Sequence, residues 1–105
     1  MKQGFVKVAS ATPRIRVADP VYNAQVICEQ AKEAAEHGAK IVVFPELCIT
    51  GYTCNDLFLQ ELLLEKAKEA LLTIAEETGQ LETLFLVGLP VDKDGRLYNV
   101  AAVLY

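Results

Sequence analysis

The chain has 105 residues, of which 52% are hydrophobic, and its formal net charge is −4 at pH 7. This length fits one small domain or part of a larger one, and the apolar content excludes a disordered chain. The acidic balance argues against nucleic acid as a partner, because binding a polyanion requires clustered Lys and Arg side chains. No apolar run reaches the roughly 20 residues that span a bilayer, which argues against a membrane partner.

The cysteines and the single histidine exclude two further classes of protein. Cys28, Cys48 and Cys54 follow no disulfide framework, and His37 is the only histidine and no CxxC pair accompanies it. We therefore expect neither a disulfide-stapled fold nor a zinc site. The N-terminus MKQGFVKVAS lacks the apolar core of a signal peptide. Together these features predict a cytoplasmic protein.

The first part of the chain alternates between strand and helix patterns. Residues 5–10 predict a strand, and residues 11–18 predict a loop. Asp19 and Pro20 then predict the start of a helix. Asp accepts hydrogen bonds from the free N–H groups of the first turn, and Pro lacks a backbone N–H that would have no partner within the helix. Apolar residues recur at spacings of three and four over residues 21–37, which predicts an amphipathic helix that ends at Gly38.

The second part of the chain continues this alternation and ends in a hairpin pattern. Residues 41–44 form a β-branched apolar run, typical of a strand covered on both faces, and Pro45 ends it. Asn55 and Asp56 are candidate caps for a second helix that stops at Gly79. Its apolar stripe comprises Leu63, Ala67, Ala70, Leu71, Ile74 and Ala75. Residues 84–89 predict a buried strand, residues 92–95 a turn, and residues 96–105 a strand that pairs back.

The element order β-α-β-α-β-β predicts an α/β fold with helices layered on a mixed sheet. One feature of this pattern is unusual, since the last residues, 100–104, are as apolar as any strand in the chain. Such a strand either lies inside the sheet or belongs to a domain that continues, and we favour the second interpretation. An open apolar edge invites pairing, so we also expect the chain to self-associate through this strand.

The stretch FPELCITGYTC, residues 44–54, places Glu46 directly after the second predicted strand. A glutamate in such a place is most often a solvated loop residue or a helix cap. Three observations favour chemistry instead. Loops at the strand ends of α/β sheets collect catalytic groups, Pro45 restricts the backbone before the carboxylate, and side chains such as Cys48 and Thr50 can line a cleft. Glu46 is therefore a candidate general base.

Residues 44–58, FPELCITGYTCNDLF, resemble the segment that follows the second strand in the carbon–nitrogen hydrolase (nitrilase) superfamily. Further similarity covers VKVAS, AKEAAEHGAKIVVFPEL, LFLVGLPV and RLYNVAAVLY, which together span most of the chain. The GYTCNDLF extension favours the branch formed by the glutaminase domains of glutamine-dependent NAD synthetases. The resemblance implies a four-layer α-β-β-α sandwich, of which residues 1–105 are the N-terminal portion.

The resemblance also implies roles for two residues. Glu46 matches the glutamate that acts as general base, and Tyr52 resembles a residue near the glutamine pocket. In the family a cysteine attacks the glutamine amide and expels ammonia, while a lysine stabilises the oxyanion. Neither the lysine nor this cysteine has a match in the 105 residues, so we expect the isolated chain to be inactive. ATP and Mg²⁺ are implied for a separate synthetase domain, and the parent protein is expected to be a homo-oligomer.

The sequence also offers other candidates for the site residues and for the function. Cys48 lies two residues after Glu46, but no cation nearby in sequence would activate its thiol, so a small buried or lining side chain is favoured. Lys40, Lys66 and Lys68 are poorly placed to be the oxyanion lysine, and no glycine motif for dinucleotide binding is present. Two rival functions are a free-standing amidase or N-carbamoyl hydrolase, and a non-catalytic α/β interaction module.

Overall fold

The computed structural model describes residues 6–51 and 61–105. The α/β class and the order β-α-β-α-β-β are confirmed within these ranges. The elements are β1 (Val8–Ser10), α1 (Pro20–Glu36), β2 (Ile41–Val43), α2 (Glu61–Glu77), β3 (Leu84–Lys93) and β4 (Arg96–Leu104). The predicted caps Asn55 and Asp56 lie outside the described residues, as does Phe5 at the start of the first predicted strand.

The strands form one mixed sheet in the order β1-β2-β3-β4. β1, β2 and β3 run parallel, whereas β3 and β4 form the predicted antiparallel hairpin. Its turn places Asp94 at φ 54° and Gly95 at φ 76°, and two positive φ angles match a tight turn to the twist of the strands. β4 lies at the edge of the described sheet, so none of the other described strands encloses it.

Helix α1 begins and ends as its sequence predicts. The Asp19 side chain accepts a hydrogen bond from the Tyr22 backbone N–H at 3.1 Å, and Pro20 is the first helical residue. Gly38 follows the helix at φ 87°, a left-handed conformation that glycine adopts without steric cost. Local capping chemistry therefore sets both ends of this element.

Both helices pack on the same face of the sheet and form the core there. Ile27 on α1 and Ile74 on α2 meet Val42 and Phe85 on the strands, and each of these side chains is at most 1% exposed. Burying a side chain of this size contributes about 1.5–3 kcal/mol. Neither α1 nor α2 is long and apolar enough to cross a membrane.

The opposite face of the sheet is open in the described structure. Val8, Val43 and Val103 are 62%, 42% and 60% exposed, and Leu84 and Leu86 are half-buried. Among the described residues, β2 and the first residues of β3 are therefore covered on one face, and the predicted cover of the second face stays a prediction. A continuous apolar run indicates two apolar faces, but α1 and α2 both cover the same one.

Candidate active site

Glu46 lies in a tight turn directly after β2. Residues 46–50 form the turn, in which Leu47 has φ 54° and accepts a hydrogen bond on its carbonyl from Gly51 N–H at 2.8 Å. Cys48 N–H donates to the Pro45 carbonyl at 3.3 Å. The segment after Pro45 is therefore a corner whose backbone bonds to itself, and this fixes the place from which the Glu46 side chain leaves the sheet.

The corner rests directly on β3 at Gly88. A Cβ atom added to Gly88 would lie 2.5 Å from Leu47 N and 2.9 Å from Pro45 O, closer than any real side chain tolerates. Ile49 N–H also donates to the Gly88 carbonyl at 3.2 Å. A glycine inside a strand often marks such a close backbone approach, and this signal was available in the sequence although we drew no role for Gly88 from it.

The Glu46 carboxylate is exposed, but it is not loose in solvent. Its Oε1 atom accepts a hydrogen bond from Nδ2 of Asn99 on β4. The contact joins residues that are 53 positions apart, so nothing local in the sequence predicts it. Among the described residues Asn99 is a polar partner of the candidate base, and sequence reasoning missed it.

Two hollows flank Glu46. The first has a volume of about 390 Å³ and lies towards the open face, where it is lined by Val43, Leu86, Gly88, Asn99 and Ala101 among others. The second has a volume of about 300 Å³, and its walls are Pro13, Ile15, Pro45 and Cys48. The candidate base thus borders a hollow on each side.

A buried asparagine fixes the loop that walls the second hollow. Asn23 on α1 is fully buried, and its Nδ2 donates to the carbonyls of Arg16 and Ile49 at 2.7 Å each, while its Oδ1 accepts from Arg16 N–H at 2.7 Å. Ala18 N–H donates to the Thr50 carbonyl at 2.8 Å. Asn23 therefore ties the loop before α1 to the corner after β2, and its role also escaped the sequence analysis.

Cys48 does not qualify as the nucleophile. Its side chain is 1% exposed and its thiol donates weakly to the Gly88 carbonyl at 3.8 Å. Burial raises the pKa of the Cys48 thiol to about 11, so it stays protonated near neutral pH. The prediction that Cys48 is a small buried or lining thiol is confirmed. Cys28 is buried in the helix-covered core as expected, and burial raises its thiol pKa as well.

The remaining candidates lie away from the corner or outside the described residues. Thr50 is fully buried and does not line either hollow, contrary to expectation. Lys40 precedes β2 at the end of the strand opposite Glu46, and Lys66 lines a groove between α1 and α2. Tyr52 and Cys54 fall outside the described residues. Within residues 6–51 and 61–105, no three His, Cys, Asp or Glu side chains form a group that could hold a metal ion.

Comparison with known families agrees with this geometry. The model of the carbon-nitrogen hydrolase family matches residues 7–105. The chain belongs to the carbon-nitrogen hydrolase family. This carbon-nitrogen hydrolase is 36% identical over 104 residues to the glutamine-dependent NAD(+) synthetase of Mycobacterium tuberculosis, an alignment that covers 99% of the chain and 15% of the relative. It is 33% identical to the enzyme of the same name from Thermotoga maritima, covering 99% of the chain and 18% of that relative.

Solved structures place this carbon-nitrogen hydrolase in the same fold. It matches the glutamine-dependent NAD(+) synthetase from Cytophaga hutchinsonii with a TM-score of 0.87 and 31% identity, covering 94% of the chain and 17% of that structure. An amidase from Nesterenkonia sp. shares the fold with a TM-score of 0.78 at 24% identity, covering 98% of the chain and 39% of the amidase. The chain spans less than a fifth of the length of the synthetases it matches.

Proposed function

We propose that this chain is the N-terminal portion of the glutaminase domain of a glutamine-hydrolysing NAD(+) synthetase, and that Glu46 is its general base. The observation that carries the proposal is the placement of Glu46. Its carboxylate leaves a rigid corner at the end of a parallel strand, borders two hollows and is held by Asn99. The similarity to NAD(+) synthetases over 99% of the chain supports the choice of substrate.

The reaction we propose follows the chemistry of the family. Glu46 accepts the proton of the family's cysteine thiol, and the resulting thiolate attacks the side-chain amide carbon of glutamine. The amide nitrogen takes up the proton and leaves as ammonia, which produces a thioester. Water then cleaves the thioester to release glutamate and restore the thiol. We propose that the nucleophilic cysteine and the oxyanion lysine lie outside these 105 residues, since by resemblance neither has a match among them. Cys48 in particular is buried, and its thiol stays protonated near neutral pH.

The partners proposed for the parent protein follow from the same relatives. Ammonia passes to a synthetase domain, where ATP and Mg²⁺ support its attack on adenylated nicotinic acid adenine dinucleotide to give NAD. We further propose a cytoplasmic location and a homo-oligomeric parent. The isolated 105-residue chain should self-associate through β4, which is the edge strand of the described sheet, and light scattering over a range of concentrations would show a rising mass.

The test is Glu46→Gln in the full-length protein, assayed with two nitrogen sources. Loss of the base should lower glutamine-dependent NAD synthesis about 100- to 10,000-fold, the usual contribution of general acid–base catalysis. Synthesis from added ammonia bypasses the glutaminase and should stay within twofold, which also controls for folding. Glutamine-dependent activity within a few-fold of wild type would overturn the proposal. Amide hydrolysis without NAD synthesis from ammonia would indicate the free-standing amidase instead.

A further inference from the structure

We propose that Asn99 is a positioning residue for Glu46, which couples the β3–β4 hairpin to the catalytic carboxylate. The inference rests on the proposed role of Glu46 as general base. The observation behind the inference is the hydrogen bond that Asn99 Nδ2 donates to Glu46 Oε1. Asn99 also lines the larger hollow beside Glu46, so the contact borders the space that the proposed function assigns to the substrate.

The contact removes freedom that Glu46 would otherwise have. An exposed glutamate samples many side-chain rotamers, and a general base must stay within hydrogen-bond reach of the proton it takes. Asn99 donates to one carboxylate oxygen, Oε1. The contact therefore restricts the rotamers of Glu46 through one oxygen, and we assign the proton exchange with the reacting groups to the other.

Asn99 is held by the same strand that supports the corner. In the antiparallel register Asn99 pairs with Pro90 on β3, and Gly88 lies two residues before Pro90 on that strand. Gly88 is in turn the residue on which the corner of Glu46 rests, with no space for a Cβ atom. The base and its partner are thus both fixed to one short length of β3, which is a more exact support than a flexible loop provides.

The chemistry of asparagine suits this position better than the alternatives. Its amide donates a hydrogen bond without adding charge, so Glu46 keeps its ability to accept a proton. A Lys or Arg side chain would form an ion pair that favours the ionised carboxylate and weakens it as a base. An aspartate would place a second negative charge beside the first. Among the described residues that line the two hollows, Cys48 is the other titratable group, and its buried thiol is uncharged at neutral pH.

The experiment compares Asn99→Ala and Asn99→Asp with Tyr98→Phe in the full-length protein. Tyr98 is the neighbouring β4 residue, pairs with Val91 and is a matched control that should keep wild-type kinetics. We expect Asn99→Ala to lower kcat for glutamine hydrolysis about 10- to 100-fold, the scale of a misplaced catalytic group, with KM for glutamine within about threefold. Synthesis from added ammonia should remain within twofold.

Asn99→Asp tests the positioning role through the pH dependence of kcat/KM, which a purely structural role would leave unchanged. It keeps the volume of the side chain but replaces the donor by a carboxylate, which opposes loss of the proton from Glu46. The acid limb of kcat/KM against pH should therefore move to higher pH in this variant. In a Glu46→Gln background, adding Asn99→Ala should lower kcat for glutamine hydrolysis by less than about threefold, because the carboxylate that Asn99 positions is absent.

The outcomes separate this inference from the proposed function. If Glu46→Gln is inactive with glutamine while both Asn99 variants keep kcat and the pH profile of wild type, the positioning role is overturned and the function stands. A rise in KM with unchanged kcat would also overturn it, because Asn99 would then bind substrate rather than position the base. If Glu46→Gln itself keeps its activity, the proposed function fails, whatever the Asn99 variants show.

Discussion

The helix-covered face of the sheet and its open face carry similar apolar side chains but meet different surroundings. On the covered face, Phe85 and Val42 are enclosed by α1 and α2 and are almost inaccessible to water. On the open face, Val43 and Val103 remain 42% and 60% exposed. The core of the described structure therefore lies entirely on one side, although the strands are built from side chains suited to two.

The candidate site belongs to the open side of this division. The larger hollow beside Glu46 is lined by Val43, Leu86 and Ala101, which alternate along their strands with the residues that face the helices. Within the described residues, the helix layer encloses the core, and the candidate site borders the face that this layer does not cover. Glu46 lies at the boundary, held by a backbone corner rather than by the core.

Truncating a side chain on the covered face should destabilise the chain far more than truncating one on the open face. Phe85→Ala removes an enclosed aromatic ring and should lower the free energy of unfolding of the 105-residue chain by about 3–5 kcal/mol. The matched control is Val103→Ala on the open face, which should cost less than about 1 kcal/mol because little buried area is lost. Urea denaturation measures both, at a protein concentration low enough that light scattering shows a monomer. Equal losses in the two variants would show that the faces are covered alike.

A smaller effect should follow from a substitution at Gly88, the β3 residue on which the corner after Pro45 rests. Gly88→Ala forces a Cβ atom to within 2.5 Å of Leu47 N, so the corner must shift, at a cost of about 1–3 kcal/mol. Glutamine-dependent activity of the full-length protein should fall with it, while ammonia-dependent synthesis is retained. Gly79→Ala is the control, since its added Cβ would lie 3.3 Å from the Ala75 carbonyl and far from Glu46. Equal activity in the two variants would contradict the role of Gly88.

The smallest effect concerns the buried thiol beneath the corner. Burial raises the pKa of Cys48 from the ordinary 9.0 to about 11, so the unfolded chain loses this proton at lower pH than the folded chain. Stability should therefore be unaffected by this group below pH 9 and fall as pH rises from 9 to 11. Cys48→Ala should flatten that decline in a series of urea melts. A decline equally steep in the variant would assign it to other groups.

Local chemistry made a large part of the fold predictable. The caps Asp19 and Gly38 define α1, and the sequence Asp94-Gly95 defines the hairpin, because each works through neighbouring residues. Glu46 was identifiable for the same reason, since Pro45 and the end of an apolar run mark a strand end. Tyr52, the other site residue inferred from family resemblance, lies outside the described residues and stays a prediction.

The partners of Glu46 were not predictable, because they depend on distant contacts. Asn99 reaches Glu46 only once β4 pairs with β3 in a particular register. Gly88 matters only because the corner folds onto it, and Asn23 only because two loops converge on α1. The pattern of apolar residues likewise shows that a strand has two apolar faces, but it does not show which of them the helices cover.

The placement of the Glu46 carboxylate can be tested separately from its charge. Glu46→Asp keeps the charge but shortens the side chain by one methylene, which withdraws the carboxylate from Asn99 and from the hollow. The account predicts that kcat for glutamine hydrolysis by the full-length protein falls about 100-fold, with NAD synthesis from added ammonia unchanged. Glutamine hydrolysis within a few-fold of wild type would contradict it, because a carboxylate anywhere near the corner would then suffice.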